Sequence, residues 1–135
     1  MKHGSVRLLG VVAGVVALLL GGVAPGHAVA REDDRPAVSA QDTYSGQATY
    51  YDVGLGACGS IHKNTDFVAA LNMAQYSGDL CGRTLRVTGP DGQVDVTVVD
   101  SCPGCGHGDL DLSPAAFQKI APLSAGRVAV RWTFL

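Results

Sequence analysis

Val99-Asp100-Ser101-Cys102-Pro103-Gly104-Cys105-Gly106, followed by Gly108-Asp109-Leu110-Asp111-Leu112-Ser113-Pro114-Ala115-Ala116-Phe117, is the stretch on which the fold turns. Asp100 ends a run in which Val94, Val96 and Val98 alternate with Asp95 and Thr97. That is the period of a strand with one buried face. Ser113-Pro114 then opens a helix: a serine oxygen accepts from the first free amides, and proline fits the first helical position. Ala116, Phe117 and Ile120 line one side of it.

Outward from this stretch the pattern is mostly strand. Residues 84–88, the turn Gly89-Pro90-Asp91-Gly92 and residues 93–100 spell a β-hairpin. In residues 127–134, Val128, Val130, Trp132 and Phe134 point one way and Arg127, Arg131 and Thr133 the other. Residues 45–51 (SGQATYY) form a first strand, followed by a loop with Gly54, Gly56 and Gly59 around Cys58. Residues 67–71 (FVAAL) are too short for period to separate strand from helix. Residues 72–77 are expected to make one helical turn that ends at Gly78. Short strands, one or two brief helices and no βαβ rhythm predict a mainly β fold, a small barrel.

At 135 residues the chain has room for one domain. Lys2 and Arg7 precede the apolar run 8–20, and Ala28-Val29-Ala30 follows it. The run is shorter than the roughly 20 residues that span a bilayer, so residues 1–30 are expected to be a signal peptide cleaved after Ala30. Residues 31–43 begin with the polar REDDRPAVSA and are expected to be a disordered leader or propeptide. Residues 44–135 are the folded domain. Without residues 1–30 the chain carries eight basic and twelve acidic residues, net −4, which argues against nucleic acid and anionic membranes as partners. A core this small has a thin stability margin. Four cysteines (Cys58, Cys81, Cys102, Cys105) in an oxidising compartment predict two disulfides, with three possible pairings.

The quoted stretch resembles the double-psi β-barrel superfamily, which takes in expansin N-terminal domains, barwin and rare lipoprotein A. Gly46-Gln47-Ala48-Thr49-Tyr50-Tyr51, Ala57-Cys58-Gly59, Val68-Ala69-Ala70-Leu71-Asn72, Cys81-Gly82 and residues 127–132 match it as well. Within that group the chain is most similar to stand-alone secreted barrels of the Streptomyces papain-inhibitor type. The resemblance implies a six-stranded double-psi barrel. Its likeness to barwin implies the pairs Cys58–Cys81 and Cys102–Cys105.

Asp111 matches the aspartate that expansin-like proteins keep in their polysaccharide groove, and Asp100 matches its partner. Two close carboxylates raise one pKa and supply a general acid; alternatively both cap loops. Ala48-Thr49-Tyr50-Tyr51-Asp52, then Cys58, resembles the motif of family-45 endoglucanases, which implies Asp52 as base and Asp111 as acid in an inverting hydrolysis. Thr49 stands where that motif has arginine, and the domain is short for a closed cleft, so hydrolysis ranks last. Cys102-Pro103-Gly104-Cys105 lacks the βαβ context of a redox motif, and a zinc site with His107 needs reduced thiolates. A structural disulfide is expected there, with no metal and no cofactor. His62, Lys63 and His107 fall in loops and read as solvated surface.

The expected function is inhibition of papain-like cysteine proteases by a secreted monomer. Two Gly-rich loops would enter the protease cleft: Val53, Gly54, Leu55 and Gly56, and Gly104, Gly106 and His107. Rigid loops bind well because little ordering entropy remains to be lost. The alternative is a non-hydrolytic, expansin-like binder of cell-wall polysaccharide that uses Thr49, Asp52, Asp100 and Asp111. Against it, Cys102 stands where bacterial expansins have tyrosine, and Trp132 belongs to a buried set.

Overall fold

The computed structural model describes residues 42–135, with Gly14 alone before them; the expected signal peptide, Gly14 apart, and residues 31–41 of the expected leader lie outside the described residues. Six strands follow one another: β1 (Tyr44–Tyr50), β2 (Val68–Asn72), β3 (Thr84–Gly89), β4 (Gly92–Cys102), β5 (Leu110–Leu112) and β6 (Val128–Phe134). The helix α1 (Pro114–Phe117) lies between β5 and β6. The hairpin turn seats β3 on β4 from Gly89↔Gly92 to Thr84↔Thr97. The strands close into a barrel in the order β1-β5-β2-β4-β3-β6. β1–β5 and β2–β4 are parallel and the other pairs antiparallel. Strand β1 runs on to β2, which is not its neighbour in the barrel, through residues 51–67, and this connection carries the first Gly-rich loop.

The short apolar run 67–71 proves to be strand. β2 is buried at all five positions because it lies between β4 and β5. Over 72–77 the chain makes one hydrogen-bonded turn, closed by the Gln75 (3.1 Å) and Tyr76 (2.9 Å) amides on the Asn72 carbonyl, and does not continue as a helix. The buried Asn72 side chain accepts from the Gln75 amide (3.1 Å) and donates to the Asp109 carbonyl (3.1 Å), which fixes this turn against β5. A single 3-10 turn follows at Gly78–Leu80. β5 was not legible as a strand, because Leu110, Asp111 and Leu112 alternate over three residues only.

Leu71, Leu85, Val87, Val96, Val98, Leu110 and Leu112 fill the barrel, and Phe117 and Ile120 from α1 and its following turn join them. Trp132 is buried in this set, and its indole N–H donates to the Gly108 carbonyl (2.8 Å). Ser113 caps α1: its hydroxyl accepts from the Ala116 amide (3.2 Å) and donates to the Asp66 carbonyl. Ser113 is fully buried, so Ser113→Ala removes a cap and orphans two polar groups. The expected cost is about 2 kcal/mol, the upper range for a cap, read as a lowered midpoint in urea denaturation.

Candidate functional site

Register builds a polar row on the outside of the barrel. Thr49 pairs with Asp111, Asp111 with Ala70, and Ala70 with Asp100. A bulge between Ala69 and Ala70 shifts the β2–β4 register, so Ala69 pairs with Val98 and Ala70 with Asp100. Their strand neighbours Ala48, Leu110 and Leu112 point into the core, so alternation turns Thr49 and Asp111 outward. The Thr49 hydroxyl donates to Asp111 Oδ1 (2.8 Å).

The two aspartates of the row have different tasks. Asp100 Oδ1 accepts from the amides of Ala57 and Ser101, both at 2.8 Å, so it is a loop cap. Burial pushes the Asp111 carboxyl above its usual range, against the Thr49 hydrogen bond and the Arg127 charge, and the Asp100 charge adds a smaller push. Tyr51 lies beside both. Its hydroxyl is buried, and no hydrogen bond of good geometry reaches it among the described residues. Burial first, then the charges of Asp100 and Asp111, hold its pKa far above the ordinary tyrosine value. Asp52 is exposed and accepts from Asn64 Nδ2 (3.0 Å), while Asn64 Oδ1 accepts from the Val53 amide (2.7 Å).

The raised Asp111 pKa has a stability consequence with a definite sign. The folded state holds this proton to higher pH than the unfolded chain, whose aspartates ionise near pKa ~3.9. Asp111 therefore favours folding below that pH and loses that contribution as pH rises through its folded pKa. Asn at 111 keeps an acceptor for Thr49 without the charge. The difference in stability between Asp111→Asn and the unchanged protein is expected to move in favour of the variant as pH rises from the acid side. Urea midpoints of both proteins across that range check it.

The first Gly-rich loop is a small hairpin. Leu55 and Ile61 form an antiparallel bridge. It is flanked by two hydrogen bonds, from the His62 amide to the Gly54 carbonyl (3.0 Å) and from the Gly56 amide to the Ser60 carbonyl (3.1 Å). The turn of the hairpin, not its open end, is fixed on β4. The Cys58 amide donates to the Val99 carbonyl (3.2 Å), and Cys58 is bonded to Cys81. A Cβ at Gly56 would collide with the Val99 carbonyl, so only glycine seats the hairpin this closely. At its outer face Leu55 is 71% and Ile61 77% exposed.

The second loop is held elsewhere. Cys102 is bonded to Cys105. Asp109 accepts from the amides of Gln47 (2.7 Å) and Gly106 (3.2 Å), and Gln75 accepts from the Gly108 amide (2.9 Å). Gly46 and Gly108 pack backbone to backbone where any Cβ would clash. This loop meets the start of β1 while the Leu55 loop leaves its end, and no hydrogen bond joins the two among the described residues. Gly104, Gly106 and His107 are exposed, but none offers an aliphatic side chain. Ile61, Asn64 and Gln75 carry no signal in the sequence, since each is a lone residue in an unpatterned loop. No cluster of three or more His, Cys, Asp or Glu side chains suited to a metal stands among the described residues.

A family model described as lytic transglycolase matches residues 43–132. The papain inhibitor of Streptomyces mobaraensis is 37% identical over 101 residues, covering 67% of this chain and 71% of that protein. The expansin YoaJ of Bacillus subtilis is 34% identical over 99 residues, covering 67% of this chain and 43% of that one. Among solved structures, the Streptomyces papain inhibitor superimposes with a TM-score of 0.64 at 35% identity, covering 70% of this chain and 94% of that chain. The expansin of Clavibacter michiganensis in complex with cellohexaose gives 0.65 at 34% identity, covering 70% of this chain and 50% of that one. The match therefore spans half or less of either expansin but nearly the whole of the solved inhibitor. With two parallel strand pairs in a closed six-stranded barrel and a family model over residues 43–132, the chain belongs to the double-psi β-barrel family that includes the Streptomyces papain inhibitor and the expansins.

Proposed function

We propose that this protein is a secreted, monomeric inhibitor of papain-like cysteine proteases that enters the protease cleft with the loop 53–62. The observation that carries this reading is the exposed Leu55–Ile61 pair on a hairpin fixed by a disulfide and by main-chain bonds to β4. A backbone already fixed beneath two large exposed aliphatic side chains has little ordering entropy left to lose when a partner covers them. Its near full-length likeness to the Streptomyces inhibitor supports the same reading. Titration of papain activity with the purified protein tests it. Stoichiometric loss of activity is expected, and full activity at excess protein would sink the proposal.

The polar row favours a second reading, polysaccharide binding, because the buried Tyr51 hydroxyl lies near Asp100 and Asp111 with no hydrogen bond of good geometry among the described residues. Against it, Trp132 is buried and supplies no stacking face, and Asp100 is committed to the loop amides. Pull-down on cellulose and peptidoglycan separates the two: binding that disappears in Asp111→Ala, with no papain inhibition, favours the wall-binding protein.

A further inference from the structure

The Leu55–Ile61 bridge has a main-chain geometry that deepens the inhibitor reading and rests on it. The two flanking hydrogen bonds run between Gly54 and His62 and between Gly56 and Ser60. Leu55 and Ile61 are thus a non-hydrogen-bonded pair, in which side chains approach closely and each residue's own N–H and C=O point away from the partner strand. Neither residue's amide or carbonyl takes part in a hydrogen bond among the described residues. The hairpin therefore has two open edges, each one residue long, each next to an exposed aliphatic side chain. An unpaired edge is a template for another chain.

The edges are not equal. Leu55 stands between Gly54 and Gly56, which carry no side chains, whereas Ile61 stands between Ser60 and His62. A Cβ at Gly54 would meet nothing within 4 Å, so the backbone before Leu55 lies open. Gly56 is seated on Val99 and Asp100 of β4, so it is from the Gly54 side that foreign backbone can approach Leu55 without meeting a neighbouring side chain.

We propose that the protein docks by strand addition at Leu55. Its N–H and C=O pair with main-chain groups that line the protease cleft, while its side chain fills the apolar pocket beside them. Main-chain bonds supply affinity and the alternate side chain supplies specificity, as in other edge-strand recognition. The partner is accordingly a protease whose cleft offers exposed backbone donors and acceptors next to an aliphatic-sized pocket. Ile61 adds apolar contact but no main-chain bonds.

Replacement of the Leu55 N–H by an ester oxygen tests this, since α-hydroxy-leucine at 55 keeps the side chain and deletes one donor. Papain is the probe, with intact mass followed during the assay. The ester at 55 is expected to weaken inhibition about tenfold, the effect of one hydrogen bond, and the corresponding ester at Ile61 to leave it unchanged. Cutting of the ester by papain would also support the proposal, because it places the Leu55 backbone in the catalytic register. An uncut ester at 55 that inhibits like the unchanged protein overturns strand addition, as does a loss confined to the ester at 61. Failure of the unchanged protein to inhibit papain is a separate result and removes the inhibitor reading itself.

Discussion

Replacing Cys58 and Cys81 together by alanine is expected to lower stability by about 3 kcal/mol, the chain-entropy value for a loop of this length. The two residues are 23 apart in sequence. For a domain of this size that corresponds to a fall in Tm of roughly 15 °C. The Cys102–Cys105 bridge closes a separation of only 3, and the same relation gives its loss about half the effect. Function separates the two bridges further. Cys58 anchors the hairpin that presents Leu55 and Ile61, and its loss frees side chains that binding must then order. Papain inhibition is expected to weaken by about tenfold in Cys58→Ala/Cys81→Ala, from the ordering cost of two side chains, and to persist in Cys102→Ala/Cys105→Ala. Thermal melts and inhibition titrations on both double variants check it. An unchanged melt for the first variant would contradict the cross-link as a source of stability. Unchanged inhibition would show that main-chain bonds to Val99 and Ser60 hold the hairpin alone.

The elements that could be read from the sequence are those whose signals are local. The Gly-Pro-Asp-Gly turn gives β3 and β4, Ser113-Pro114 gives α1, and the alternation through Trp132 gives β6. β5 is three residues long and is defined by its neighbours β1 and β2, so its leucines carry no readable period. The turn at Asn72 was legible, but not the buried junction of its side chain with Asp109, a contact between positions 37 apart. The site divides in the same way. Leu55 stood out as an aliphatic residue in a glycine loop, and Asp111 through its family pattern. Ile61 acquires meaning only from the bridge to Leu55, and Tyr51 only from the register that brings Asp100 and Asp111 beneath it. The separate anchoring of the second loop was equally invisible, since it depends on Gly46 and Gly108 meeting across β1.

Leu55→Asp is expected to reduce papain inhibition roughly a hundredfold, about 3 kcal/mol for a central interface residue replaced by a charge, while the fold is undisturbed. The asymmetry follows from exposure. In the free protein the side chain is 71% exposed, and a surface change of this kind stays within about 0.5 kcal/mol of stability. In the complex the same position must fill an apolar pocket, and the carboxylate loses its water without gaining a partner. Ile61→Asp acts on the neighbouring side chain. Its loss is expected to be smaller, and the double variant to lose less than the two single losses together, because the residues touch. Leu55→Met conserves volume and apolar character and should inhibit nearly as well as the unchanged protein. Binding to cellulose, if the polar row mediates any, is indifferent to all three substitutions, since Thr49, Tyr51 and Asp111 are untouched. Equal inhibition by Leu55→Asp and the unchanged protein, with matching Tm, would move the inhibitory surface off this hairpin. The loop 103–108, anchored at the other end of β1, would then be the next place to substitute.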